Sequence, residues 1–281
     1  MITPMRIISL VVLLGVPLAA QWLNLPTPGI PRTRDGKPDL SAAAPKTSGG
    51  KPDFSGMWIP RDILPCNAND RGVQCTELPL TPQLVNFAAG IKDGLPYQPW
   101  AADLFKSRSK DVAYIDPHMR CMPPNFPRAW AFPETMKIFQ TPAQLVVLHE
   151  WNASYRQIFF DGRKLPEDMV PTWSGYSVAH WEGDTLVVDV IGFNDKTWLA
   201  GTGTFHTDAL HITERYTRVD KDQIDYEVTM EDPNVLTKPW TLRSTLMLRE
   251  GTRLQEYPCT ENNLDPERYE KLLKDGVNFT R

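Results

Sequence analysis

From about residue 136 to 258, apolar side chains recur at every second position, the period of a strand with one buried face. The pattern predicts successive antiparallel hairpins. Alternation also predicts their register, because a slip of one residue sends every side chain to the wrong face. Residues 210–219 place Leu210, Ile212, Glu214, Tyr216 and Arg218 on one face. Residues 223–231 do the same for Ile224, Tyr226, Val228 and Met230. A three-residue loop, Asp220-Lys221-Asp222, matches the two faces and sets Glu214 opposite Val228. A later hairpin is expected to turn at Glu250-Gly251-Thr252, with Leu242, Ser244, Leu246 and Leu248 facing a return strand that carries Leu254 and Glu256. An earlier one is expected to turn at Asn152-Ala153-Ser154, pairing Val146 with Phe160, Leu148 with Ile158 and Glu150 with Arg156. In the stretch WEGDTLVVDVIGFNDKTW, residues 181–198, the turn falls at Glu182-Gly183 or at Glu182-Gly183-Asp184. With the shorter turn Tyr176 faces Asp189 and His180 faces Thr185 on a polar face; with the longer Tyr176, Val178, His180, Leu186, Val188 and Val190 share an apolar face; with either, His180 shares a face with Tyr176. Gly192-Phe193-Asn194-Asp195 then ends the strand at a rim.

Outside this region the periodicity weakens. Residues 1–20 read as a signal peptide, with Arg6, an apolar run from Ile7 to about Leu18, and Ala19-Ala20. The run is short for a membrane span, so no stable span is expected after cleavage. Residues 21–52 read as an extended linker containing RDGKPDLSA, nearly repeated at 49–58 as GGKPDFSGMW. Residues 53–135 are expected to hold a first strand followed by a helical and Pro-rich insertion. Its helices are signalled by Thr81-Pro82, running to Gly94, and by Pro99, running towards Lys110. Residues 136–262 form the hairpins. Asp265-Pro266 opens a C-terminal helix within 263–281, with Gly276 as its stop.

Composition sharpens this picture in two ways. Of the 281 residues 41% are hydrophobic and 23% charged, enough for a packed core, while 26 prolines argue against long helices. A net charge of −4 gives no footprint for nucleic acid, so none is expected as a partner. The four cysteines suit two disulfides in an oxidising compartment, and the favoured pairing is Cys66–Cys75 with Cys121–Cys259. The nine-residue spacing of the first pair is wrong for zinc. His206 and His211 fall on opposite faces of one strand, so no metal site is expected there. His118 lies in the Pro-rich loop. No nucleotide, dinucleotide or hydrolase signature occurs, and no cofactor is expected.

The chemistry-bearing exceptions lie on the inward faces. Glu150, Glu214 and Glu256 interrupt apolar rows, and Arg156 and Arg218 share those rows. Buried charges of this kind pair with one another, bind water or open into a wet cavity. The candidate ligand-binding set is therefore Glu150, Arg156, Tyr176, His180, Trp198, Glu214, Tyr216, Arg218 and Glu256. The expected partner is a small organic molecule with an apolar or aromatic body, held in a barrel pocket. An alternative is a lyase, isomerase or hydrolase in the same pocket, with Glu214 as acid, Glu150 as the ionised carboxylate and His180 or Tyr176 as proton shuttle. A second alternative is a structural protein of the cell envelope. Oligomeric state is left open by the sequence.

Several blocks together, DGKPDL, QPWAADLFK, RCMPPNFPR, YRQIFFDGR, the 173–198 stretch and HTDALHITERYTR, resemble a family of secreted bacterial proteins with no assigned activity. That resemblance covers roughly residues 30–262 and implies a periplasmic or secreted location, but no catalytic residue. Ser55-Gly56-Met57-Trp58 is similar to the Gly-x-Trp of a lipocalin first strand. With the hairpins that follow, it implies a mainly β, antiparallel calycin-like (lipocalin-like) barrel with a few peripheral helices.

Overall fold

The computed structural model describes residues 32–36, 39, 42–60, 94–124, 126–131 and 134–279. The expected signal peptide, the Cys66–Cys75 pair and the helix beginning at Thr81 lie outside the described residues. The chain forms strand β1 (Gly56–Pro60), helices α1 (Pro99–Arg108), α2 (Val112–Ile115) and α3 (Phe126–Ala131), then β2 (Met136–Gln140), β3 (Gln144–His149) and β4 (Ser154–Phe159). After a long connection come β5 (Tyr176–Glu182) and β6 (Thr185–Ile191), a small β7 (Trp198–Ala200) and β8 (Thr204–Phe205) pair, then β9 (His211–Arg218), β10 (Gln223–Glu231) and β11 (Trp240–Leu248). Helix α4 (Asp265–Lys274) opens at the Asp-Pro pair read from sequence.

Among the described residues nine strands close a barrel in the order β1-β11-β10-β9-β6-β5-β4-β3-β2. The mainly β barrel with peripheral helices is thus observed. It is mixed rather than wholly antiparallel: β4 and β5 run parallel. Parity demands such a pair, because nine strands alternating up and down around a ring cannot close without one parallel neighbour. A parallel pair also cannot be joined by a tight turn. Residues 160–175 make that crossover, and the place where they do so governs the site.

The β9–β10 hairpin has the register that its alternation predicted, with Glu214 opposite Val228 and Tyr216 opposite Tyr226. Ile212, Glu214, Tyr216 and Arg218 are buried from β9, and Ile224, Tyr226, Val228 and Met230 from β10. Helix α3 adds Phe126 and Trp130 to the same interior; the Trp130 ring lies 5.5 Å from both Tyr216 and Tyr226. The interior is therefore filled by side chains. At one end Arg218 closes the barrel: its guanidinium donates to the carbonyls of Asp53, Asp220 and Lys221 and lies 5.0 Å from the buried Trp58 ring.

Three sequence expectations are corrected. The β3–β4 hairpin pairs Val147 with Arg156 and Leu145 with Ile158, so Leu145, Val147 and His149 face inward in place of Val146 and Leu148. Its loop is Glu150–Ala153, with Asn152 at φ 57° and Ala153 at φ 45°. Tertiary contacts set it: Trp151 is buried and donates Nε1 to His118 Nε2 at 2.6 Å. The β5–β6 turn is Gly183-Asp184, with Glu182 opposite Thr185. Gly183 takes φ 61°, and glycine in the first turn position suits the tight hairpin geometry. The apolar face is consequently Ser177, Ala179 and Trp181 against Val190, Val188 and Leu186, while Tyr176 and His180 point outward together. Finally, β11 has no return strand. β1 takes that edge, pairing Trp58 with Leu248, so the segment carrying Glu256 is irregular and Glu256 is exposed.

Candidate functional site

Alternation on β9 and β10 delivers Glu214, Tyr216 and Tyr226 to the barrel interior, and β4 delivers Arg156 to meet them. Arg156 Nη1 and Nη2 donate to the two Glu214 oxygens at 2.9 and 2.5 Å. The Tyr226 and Tyr216 hydroxyls donate to Glu214 Oε1 at 2.7 and 3.2 Å. Glu214 is wholly enclosed. Burial works against the Arg156 charge, but the Glu214 carboxylate more than offsets it, so the guanidinium holds its proton more tightly than usual. Burial, and then the Glu214 charge, push both tyrosine hydroxyls well above their ordinary range. Arg156 Nε and Nη2 also donate to Ser177 Oγ on β5, at 3.0 and 2.9 Å.

That last contact crosses the parallel seam. The β4–β5 ladder holds two residue pairs, Ile158 with Ser177 and Phe159 with Val178, against eight between β9 and β10. Where the strands part, a pocket of about 610 Å³ opens from the outer face. Its walls are aromatic, from Tyr155, Phe159, Trp173 and Tyr176, and its buried end is Arg156 and Ser177. Arg163 and Lys164 stand at its edge. The size suits a small organic ligand. Among the described residues no carboxylate, histidine or cysteine lines it.

The connection 160–175 forms one wall and is held in place. The Thr172 amide donates to the Gly192 carbonyl at 2.9 Å, and the Asn194 amide donates to the Thr172 carbonyl at 2.8 Å. The Gly-Phe-Asn corner thus grips the pocket wall through its backbone. Tyr176 Oη donates to the Val170 carbonyl at 3.0 Å. Gly175 leads into β5 at φ 67°, where a Cβ would stand 2.8 Å from the Ile191 carbonyl oxygen. Only glycine meets both conditions without strain.

The structure scatters the residues proposed from sequence. Arg156 and Tyr176 line the seam pocket. Glu214 and Tyr216 sit behind Arg156 in the enclosed network. Glu150 is a staple: its oxygens accept from the Thr135 amide at 3.0 Å and the Gln255 amide at 2.7 Å, so it is not beside Arg156. His180 is exposed, 3.4 Å from Glu182. Trp198 is buried on β7, with Arg108 5.7 Å over its ring. Arg218 closes the opposite part of the barrel, and Glu256 is at the surface. Sequence reasoning missed Ser177, Trp173, Phe159 and Tyr155. The usable signal was length: sixteen residues between two strands is too long for a hairpin and marks a crossover.

A second buried cluster braces the helical insertion against the barrel. Arg128 donates to both Asp116 oxygens at 2.8 and 2.5 Å, and Cys121 is bonded to Cys259, as the sequence suggested. Burial, followed by the Arg128 charge, pushes His118 down to about 4. Burial alone does the same to His149, whose Nδ1 accepts from the Trp151 amide at 3.0 Å. No family model, curated protein or solved structure matches this chain.

Proposed function

We propose that the protein binds a small organic ligand with an apolar or aromatic body in the seam pocket between β4 and β5. The observation that carries this reading is the pocket itself: four aromatic side chains around about 610 Å³, with two buried polar groups at its inner end. Binding is favoured over acid–base catalysis, because among the described residues the pocket lining offers no carboxylate or histidine and the Glu214 oxygens are already taken by four donors. A periplasmic or secreted setting belongs to the same proposal. The Cys121–Cys259 bond supports it, since such bonds persist in oxidising compartments. Among the described residues no helix is long and apolar enough to cross a membrane.

Native mass spectrometry of the full chain as purified, set against its denatured mass, tests the reading. A small organic adduct on the wild type that is absent from Trp173→Ala supports it. A bare wild-type chain, together with no rise in melting temperature from a panel of aromatic compounds at millimolar concentration, overturns it.

A further inference from the structure

The buried end of the pocket selects for one kind of functional group. Ser177 Oγ has two lone pairs and receives two donors, Arg156 Nε and Nη2. Its acceptor capacity is spent, and the hydroxyl proton must point away from the guanidinium. That proton makes no hydrogen bond to the described residues. Of the five N–H groups of Arg156, the one left once Glu214 and Ser177 are served is on Nη1, on the Cδ side of the guanidinium and turned away from Ser177. Both side chains are more than nine-tenths buried and both line the pocket. Among the described residues the inner end therefore presents the Ser177 hydroxyl as a donor, its acceptor capacity spent on Arg156.

The charge around the pocket has the same sense. Among the described residues three cations line it and no carboxylate does. Glu214 neutralises Arg156, and Asp161, 2.6 Å away, neutralises Arg163, whose guanidinium also stacks 3.7 Å above the Phe159 ring. Lys164 makes no ion pair among the described residues and leaves the edge net positive. We infer that the ligand is an aromatic carboxylate, its ring between the Trp173 and Tyr176 walls and its carboxylate accepting from the Ser177 hydroxyl. The inference rests on the seam pocket being a binding site and adds the chemical class.

Calorimetric titration of the full chain with biphenyl-4-carboxylate and its neutral counterpart biphenyl-4-methanol tests it. The expected result is carboxylate binding about tenfold or more tighter, since hydrogen bonds to a charged acceptor exceed neutral ones by that order. Ser177→Ala should remove most of the preference, and Trp173→Ala should weaken both compounds alike. The wild-type comparison stands by itself if Ser177→Ala does not fold. Equal binding, or tighter binding of the alcohol, with both compounds weakened by Trp173→Ala overturns the carboxylate class and leaves the pocket standing. No binding of either compound to the wild type overturns both.

Discussion

Replacing Glu214 by glutamine keeps the side-chain volume and removes one charge from an enclosed site. In the wild type its two oxygens accept from Arg156 at 2.9 and 2.5 Å and from Tyr226 and Tyr216 at 2.7 and 3.2 Å. A glutamine carbonyl keeps part of this pattern. Its amide group, however, turns a donor towards Arg156 or the tyrosines, donor against donor. The Arg156 guanidinium, 4% exposed, is then left without a counter-charge. Breaking a buried pair from one side costs about 3–5 kcal/mol. For a domain of this size that corresponds to a fall in melting temperature of roughly 6–20 °C. Urea unfolding followed by circular dichroism at neutral pH, with the disulfide intact, measures the loss. The partner experiment is the cycle of Arg156→Met, Glu214→Leu and their combination. An isolated charge is the main cost of each single change, so the double variant should be several kcal/mol more stable than the sum of the single losses implies. A Glu214→Gln protein within about 1 kcal/mol of wild type, or single losses that simply add, would refute the reasoning.

Two further outcomes follow from other parts of the molecule. His149 is held down to about 4 by burial, against about 6.5 in an unfolded chain, so between those values the unfolded state takes up a proton that the folded state refuses. Its contribution is fully present above pH 6.5 and is lost as pH falls towards 4, by about 3 kcal/mol, and His118 adds to the same slope. Urea midpoints at neutral pH and near pH 4.5 should show this fall, and His149→Gln should reduce it; an unchanged slope in that variant counts against a neutral buried imidazole. Gly175→Ala places a Cβ 2.8 Å from the Ile191 oxygen at a left-handed φ, so it should lower stability by about 1–3 kcal/mol and weaken binding of aromatic probes. A variant with wild-type melting temperature and affinity would show that the strand start can shift freely.

The barrel was legible where neighbouring strands are joined by short polar loops. Asp220-Lys221-Asp222 gave alternation nothing to compete with, and Glu214 stands opposite Val228 as the pattern required. The β3–β4 register was not legible, because its loop answers to distant groups: Trp151 to His118, and Glu150 to Thr135 and Gln255. A hydrophobic period cannot report such contacts. The β5–β6 register differs by one position from the longer of the two expected turns, which is enough to move His180 and Tyr176 from its apolar face to the outer face that the shorter turn had given them. The inward carboxylate and arginine were visible as exceptions to the period, and Arg156 with Glu214 does form the buried pair. Their relation to a pocket was not visible. The pocket exists because an odd number of strands forces one parallel seam, and no local pattern says which pair of strands will carry it.

A crystal structure of the full chain with biphenyl-4-carboxylate at saturating concentration would examine the seam itself. The expected density places the rings between Trp173 and Tyr176, with the carboxylate within hydrogen-bonding distance of Ser177 Oγ. Compound bound elsewhere on the molecule, with the space between β4 and β5 empty, would contradict the seam as the ligand site.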